Sequence, residues 1–182
     1  MQLYFITSNP GKAKYLGDYF HLPVSHVKLD LKEIQSLNLE EVVKDKAERA
    51  FQEIKKPVLV EDVSLVFEAI NPLPGPLIKW FFESLKNEGI CKLLQNQSRK
   101  ATAEVAFAYA DAKGVVTFTG KISGEIATHP RGIAGFGWDP IFIPDGHKKT
   151  WAEMSDDEKH ATSMRRIALE KLRAFLGEKK EK

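Results

Sequence analysis

Two hydrophobic periodicities alternate through the first sixty residues, and that alternation most narrows what this chain can fold into. Residues 3–7 form a continuous apolar run that ends at the breaker Ser8-Asn9-Pro10-Gly11, and a helical pattern runs from near Lys12 to Phe20. Residues 24–31 alternate as a strand, 39–54 have helical spacing of apolar residues, and 57–60 form a short apolar strand. The order is β-α-β-α-β, which specifies the α/β class. After the turn-rich stretch 71–76, the spacing predicts helices over 77–85 and 88–94. The period then shifts to alternation over 101–110, 115–120 and 122–128, with residues 111–114 as a hairpin connection. A last helix is predicted over 163–176. With no repeat, low-complexity block or linker, one domain over residues 1–182 is expected, a mixed sheet in two lobes with a ligand cleft between them.

Composition excludes several classes. A chain of 182 residues with 43% hydrophobic content can bury a core without covalent staples. Cys91 is the only cysteine, which rules out an internal disulfide and a multi-cysteine zinc site and suits a reducing compartment. Twenty-seven basic residues against 25 acidic ones are too balanced for a surface that tracks nucleic acid. The opening residues lack a basic leader and no apolar run approaches the roughly twenty residues of a membrane span, so a soluble, cytoplasmic chain is expected.

Four segments carry candidate chemistry. Thr7-Ser8-Asn9-Pro10-Gly11-Lys12 joins strand to helix and exposes N–H groups beside a lysine, which suits phosphate; an ordinary turn would use the same residues. Glu61 and Asp62 close an apolar strand, where sites gather in α/β sheets, and strand alternation lets only one of them face squarely into a site. Residues 131–140 carry three glycines around Phe136 and Trp138. A ring on a bare loop is a platform for a nucleobase, with Phe136 as the stacker and Trp138 as support from below. The fourth, residues 148–154 and 158–166, gathers cationic and N–H donors around the start of the last helix, where they suit an acceptor.

Together these segments resemble the inosine triphosphate pyrophosphatase family, also called Ham1-like or non-standard purine NTP pyrophosphatases, over nearly the whole chain. The resemblance rests on T-x-N-x-x-K (Thr7, Asn9, Lys12), V-E-D-x-x-L (Val60, Glu61, Asp62, Leu65), L-P-G-P-x-I-K-W-F (residues 73–81), F-G-W-D-P-x-F (residues 136–142), and A-E-M with E-K (residues 152–154, Glu158 and Lys159). Five matches in order are far more specific than any one of them. The resemblance implies a nucleotide-binding cleft, hydrolysis of ITP, dITP and XTP to the monophosphate and pyrophosphate, Mg²⁺ as cofactor, and a homodimer to which residues 77–82 could contribute. It implies that Glu33 and Asp62 hold the metal, that Asp62 and Lys12 are catalytic, and that Asp62 activates water. Lys12, Lys46 and Lys79 would meet phosphate, with Thr7, Ser8, Asn9 and Glu61 nearby. Phe136, Gly137, Trp138, Asp139, Lys159, Ser163 and Arg165 would form the base pocket.

Three positions depart from the family pattern: Tyr15, His160, and Met164, which stands where relatives carry histidine. Histidine can donate a hydrogen bond and a thioether cannot, so Met164 is expected to narrow discrimination at the base-reading end, with His160 as partial replacement. The rival readings are a pyrophosphatase for other modified nucleotides and a non-catalytic nucleotide- or RNA-binding protein. The paired acids oppose the second, because carboxylates beside a phosphate site repel the ligand unless a cation intervenes.

Overall fold

The computed structural model describes residues 2–7, 10–21 and 23–180. Seven strands form one mixed sheet in the order β2-β1-β3-β5-β6-β7, with β4 paired to β3 off that path. They are β1 (Leu3–Ile6), β2 (Val24–Val27), β3 (Val58–Phe67), β4 (Pro74–Gly75), β5 (Lys100–Asp111), β6 (Gly114–Ile126) and β7 (Phe142–Pro144). The helices are α1 (Pro10–Phe20), α2 (Leu39–Ile54), α3 (Ile78–Leu93), α4 (Asp156–Ala161) and α5 (Met164–Lys180). β1 pairs in parallel with β2 and β3, while β3–β4 and β6–β7 are antiparallel. The mixed α/β class expected from the sequence is the class observed.

The chain divides into two compact units, Met1–Asp62 with Ala106–Thr119 and Ala168–Lys182, and Val63–Val105 with Gly120–Ile167. In the first, one face of α2 covers the sheet: Leu39, Val43, Ala47 and Ala50 bury against Ile6, Val58, Val60 and the alanines 106, 108 and 110. Small alanines on β5 let a helix lie close to the strand, and their apolar area is removed from water at roughly 25 cal/mol per Å². Asn38 starts α2 by accepting from the N–H groups of Glu40 and Glu41, at 3.0 and 3.4 Å, and two acidic residues in the first turn favour the helix dipole. In the second unit Trp138, Phe142 and Trp151 form a ring cluster with centroids 4.4 to 5.8 Å apart.

Three elements differ from expectation. β2 ends at Val27 instead of residue 31; Leu29 and Leu31 still pack against the core, but outside any strand. β3 continues to Phe67, so Glu61 and Asp62 lie in mid-strand and not at its end. The strands predicted over 115–120 and 122–128 are one strand, β6. The two predicted helices near residue 86 are present as two halves of α3, broken at Lys86.

Candidate active site

In the first unit charged residues of different elements form two separate sets of ion pairs. Lys46, on α2, has its Nζ 2.5 Å from Glu33 Oε1 and 3.6 Å from Asp62 Oδ2. Both carboxylates therefore point at one ammonium. Burial is the largest single influence on Lys46 and opposes its charge, but Asp62 and Glu33 outweigh it and hold its pKa above the ordinary lysine value. Lys12, on α1, reaches Glu61 Oε1 at 3.4 Å. Adjacent residues on a strand face opposite sides, and accordingly Glu61 and Asp62 engage different lysines. The Glu61 side chain is 6% exposed, whereas that of Asp62 is 21% exposed. Of the two, Asp62 has the access that metal binding or water activation requires.

Thr7 follows β1. Its N–H donates to the Val27 carbonyl at 3.1 Å and its own carbonyl accepts from His26 Nε2 at 2.6 Å, so the backbone is held on both sides where the chain enters the turn. Ser8, Asn9 and the side chain of Tyr15 lie outside the described residues.

The second unit builds a platform around Phe136, a residue 59% exposed. Asp139, buried, accepts the Phe136 N–H at 2.8 Å and Lys159 Nζ at 2.6 Å on the same oxygen, Oδ2. A Cβ on Gly135 would stand 2.2 Å from that oxygen, and its φ of +80° is one that other residues rarely adopt, so only glycine fits. Lys159 Nζ lies 5.4 Å from the centroid of the Phe136 ring and the Arg165 guanidinium carbon 5.6 Å. One exposed ring thus has two cations beside it. Trp138 joins the ring cluster with Phe142 and Trp151.

The family model described as Ham1 family matches residues 3–175. The chain belongs to the Ham1 family. It is 45% identical over 174 residues to inosine triphosphate pyrophosphatase 2 of Trypanosoma cruzi, an alignment covering 93% of this chain and 89% of that one. It is 43% identical to a dITP/XTP pyrophosphatase of Methanopyrus kandleri, covering 94% of each. Among solved structures, a HAM1 protein from Coxiella burnetii superposes with a TM-score of 0.87 at 26% identity, covering 98% of this chain and 99% of that one.

Other residues implied by the Ham1 resemblance find different surroundings. Lys79 belongs to the second unit; its Nζ is 3.9 Å from Glu83 and 5.5 Å from the centroid of the Trp80 ring on the same helix, with 70% of its side chain exposed. Ser163 Oγ accepts the Arg165 N–H at 3.1 Å, so it caps the start of α5 and steadies the arginine two residues on. Met164 is 1% exposed. The thioether is part of the core, and it is the histidine of relatives, not this side chain, that could donate a hydrogen bond here. Apolar residues at helix starts point inward when the helix must bury a stripe, and Met164 begins that stripe with Ala168, Leu169 and Leu172.

Two supports went unread in the sequence although both carry a signature. Thr150-x-x-Glu153 and Ser155-x-x-Glu158 are capping boxes, and both form. In the first, the Thr150 N–H draws the Glu153 carboxyl below the ordinary glutamate pKa, with Arg131 adding to it at 3.2 Å. Thr150 Oγ1 donates to the Arg131 carbonyl at 2.9 Å, and a Cβ on Gly132 would stand 2.4 Å from the Ala152 backbone. These contacts anchor the start of the loop that carries Phe136.

Proposed function

We propose that this chain is a Mg²⁺-dependent pyrophosphatase that hydrolyses ITP, dITP and XTP to the monophosphate and pyrophosphate, working in the cytoplasm as a homodimer. The observation that carries the reading is the acid pair: Glu33 and Asp62, from separate segments, both directed at Lys46. A protein that merely bound polyphosphate would gain nothing from two carboxylates there. Relatives at 43 to 45% identity are named ITP and dITP/XTP pyrophosphatases, and the substrate class is taken from them.

Glu33 and Asp62 are the residues that would hold Mg²⁺. The donor set fits in kind, since both residues offer oxygen ligands and both are directed at one cation. Among the described residues no group of three His, Cys, Asp or Glu could hold a metal ion, so a closed protein cage is absent there. Magnesium keeps several waters and commonly takes one or two carboxylates plus substrate phosphate. Bound with substrate, the ion would offset phosphate charge and polarise the phosphoryl oxygen.

The chain's own groups supply the rest. Lys46 stays charged because the acids sustain it, and Lys12, braced by Glu61, presents a second ammonium to the phosphates. Asp62 orients the attacking water and accepts its proton. At the platform, Phe136 stacks on the base, worth roughly 1–3 kcal/mol. Hypoxanthine and xanthine carry a 6-carbonyl that accepts N–H bonds from Lys159 or Arg165, whereas adenine's amino group leaves those donors unmatched. Such mismatches in a site built for hydrogen bonding reject an analogue by roughly 10⁴ or more.

The test is pyrophosphate release. ITP is turned over with Mg²⁺, activity disappears in EDTA and returns when Mg²⁺ is restored, and ATP is a poor substrate by kcat/KM. Undiminished activity in EDTA, or equal use of ATP, would overturn the reading. The homodimer is checked by light scattering at micromolar concentration. Trp80, 59% exposed on α3, is apolar surface available to it, and a monomeric mass removes that part.

A further inference from the structure

Lys86 interrupts α3 with φ 55° and ψ −179°, a backbone region that residues with a Cβ enter only under strain. The break is tight: a Cβ on Gly89 would stand 2.9 Å from the Cβ of Leu85. Next to the strained residue, Asn87 Nδ2 donates to the Gly137 carbonyl at 3.0 Å, fifty positions along the chain. A carbonyl only accepts, so the amide orientation is fixed with its nitrogen toward Gly137. The other amide atom, Oδ1, is buried with no hydrogen-bond partner. A left-handed lysine and an orphaned acceptor both cost stability, and the bond to Gly137 is what they accompany.

That bond falls at a telling point. Asp139 holds the Phe136 N–H, and Asn87 holds the carbonyl of the following residue, so the backbone that carries the ring is tied on both sides. Gly137 has φ +61° and a Cβ there would meet nothing within 4 Å, so packing does not fix this side of the turn. We propose that Asn87 is a positioning residue for base recognition, tethering the turn at Gly137 so that the Phe136 ring keeps its orientation. The inference rests on the functional reading above, which makes Phe136 the base platform.

A residue kept for stability and one kept for positioning respond differently to isosteric change. Asn87→Leu removes the donor and also the orphaned acceptor, so its Tm should be unchanged or higher. Its KM for ITP should rise by roughly three- to tenfold, the equivalent of one net hydrogen bond, with kcat within about twofold because the platform binds ground state and transition state alike. Asn87→Asp sets a carboxylate oxygen against the Gly137 carbonyl and should raise KM further. The experiment measures Mg²⁺-dependent pyrophosphate release from ITP and thermal unfolding for the wild type and both variants. A lower Tm or failure to fold in Asn87→Leu, or KM values unmoved in an active enzyme, overturns the proposal alone. A wild-type chain that leaves ITP intact overturns the functional reading and this inference with it.

Discussion

Asp62 is the residue on which the hydrolytic reading is most exposed to test. It combines partial solvent access, a lysine at 3.6 Å and a neighbour, Glu61, already committed to Lys12. Asp62→Asn keeps the shape and removes the charge, so turnover of ITP should fall by at least about tenfold while nucleotide affinity changes little; a steady-state rate above a tenth of wild type removes Asp62 from the role. Met164 makes the opposite kind of prediction. Because it is 1% exposed, Met164→His buries an imidazole and should destabilise by about 1–3 kcal/mol, or roughly 2–4 °C of Tm per kcal/mol, while leaving the ITP:GTP ratio of kcat/KM unchanged. A sharpened ratio with an unmoved Tm would instead bear out the expectation drawn from sequence. These cases mark what was legible. Asp62 and Phe136 announce themselves by local context, an acid pair on an apolar strand and a ring among glycines. Glu33 and Lys46 were named separately, through the resemblance alone, and nothing in the sequence announced their pairing, since thirteen residues of chain separate them without a local pattern. Burial of Met164 depends on which face α5 turns inward, and family comparison by position does not reveal that.

At the scale of elements, α4 shows how a short helix can hold a functional side chain. Six residues are too few to be helical by propensity, and the first turn is held by Ser155 Oγ, which accepts the Glu158 N–H at 3.3 Å, and by Glu158 Oε2, which accepts the Ser155 N–H at 2.9 Å. Ser155→Ala should cost about 1 kcal/mol, and it should raise KM for ITP because Lys159, carried by this helix, loses its fixed approach to Asp139. An unchanged KM would separate the cap from the site. The same cap predicts a pH effect. The Ser155 N–H, and after it Lys149, lower the Glu158 pKa in the fold. A depressed carboxylate stabilises the fold above its unfolded pKa of about 4.3, and that contribution is lost as the pH falls through the folded value. The Tm difference between wild type and Glu158→Ala should therefore be full at neutral pH and vanish in acid; a constant difference would refute it. Long periodic elements were legible, α2 to the residue, because amphipathic spacing and the Asn38 cap agree. The end of β3 was not, because Glu61 and Asp62 interrupt an apolar run while the strand's pairing continues past them to β4. Two- and three-residue strands such as β4 and β7 exist only through their partners.

Over the whole molecule, the chain divides into two compact units whose borders fall where no sequence signal marks them. The chain passes from one unit to the other after Asp62, Val105, Thr119 and Ile167, and these positions lie inside β3, β5, β6 and α5. The expectation of two lobes rested on the absence of a repeat, a low-complexity block or a linker, and none of these places a border inside a strand. The arrangement has an energetic consequence. A border inside a strand or helix has no linker to absorb unfolding, so melting one unit frays hydrogen-bonded elements of the other, and four such crossings should couple the units into one cooperative transition. Calorimetry should accordingly record a single peak whose calorimetric and van't Hoff enthalpies agree. A ligand bound by groups in either unit should then stabilise the entire chain by mass action, about 2.7 kcal/mol at a hundred times its Kd. For a chain of this size that is roughly 5 to 10 °C. A non-hydrolysable ITP analogue with Mg²⁺ should move the whole peak by about that much, and EDTA should reverse most of the shift. Two resolved transitions, or a shift confined to part of the unfolding enthalpy, would show that the units melt independently despite the shared strands.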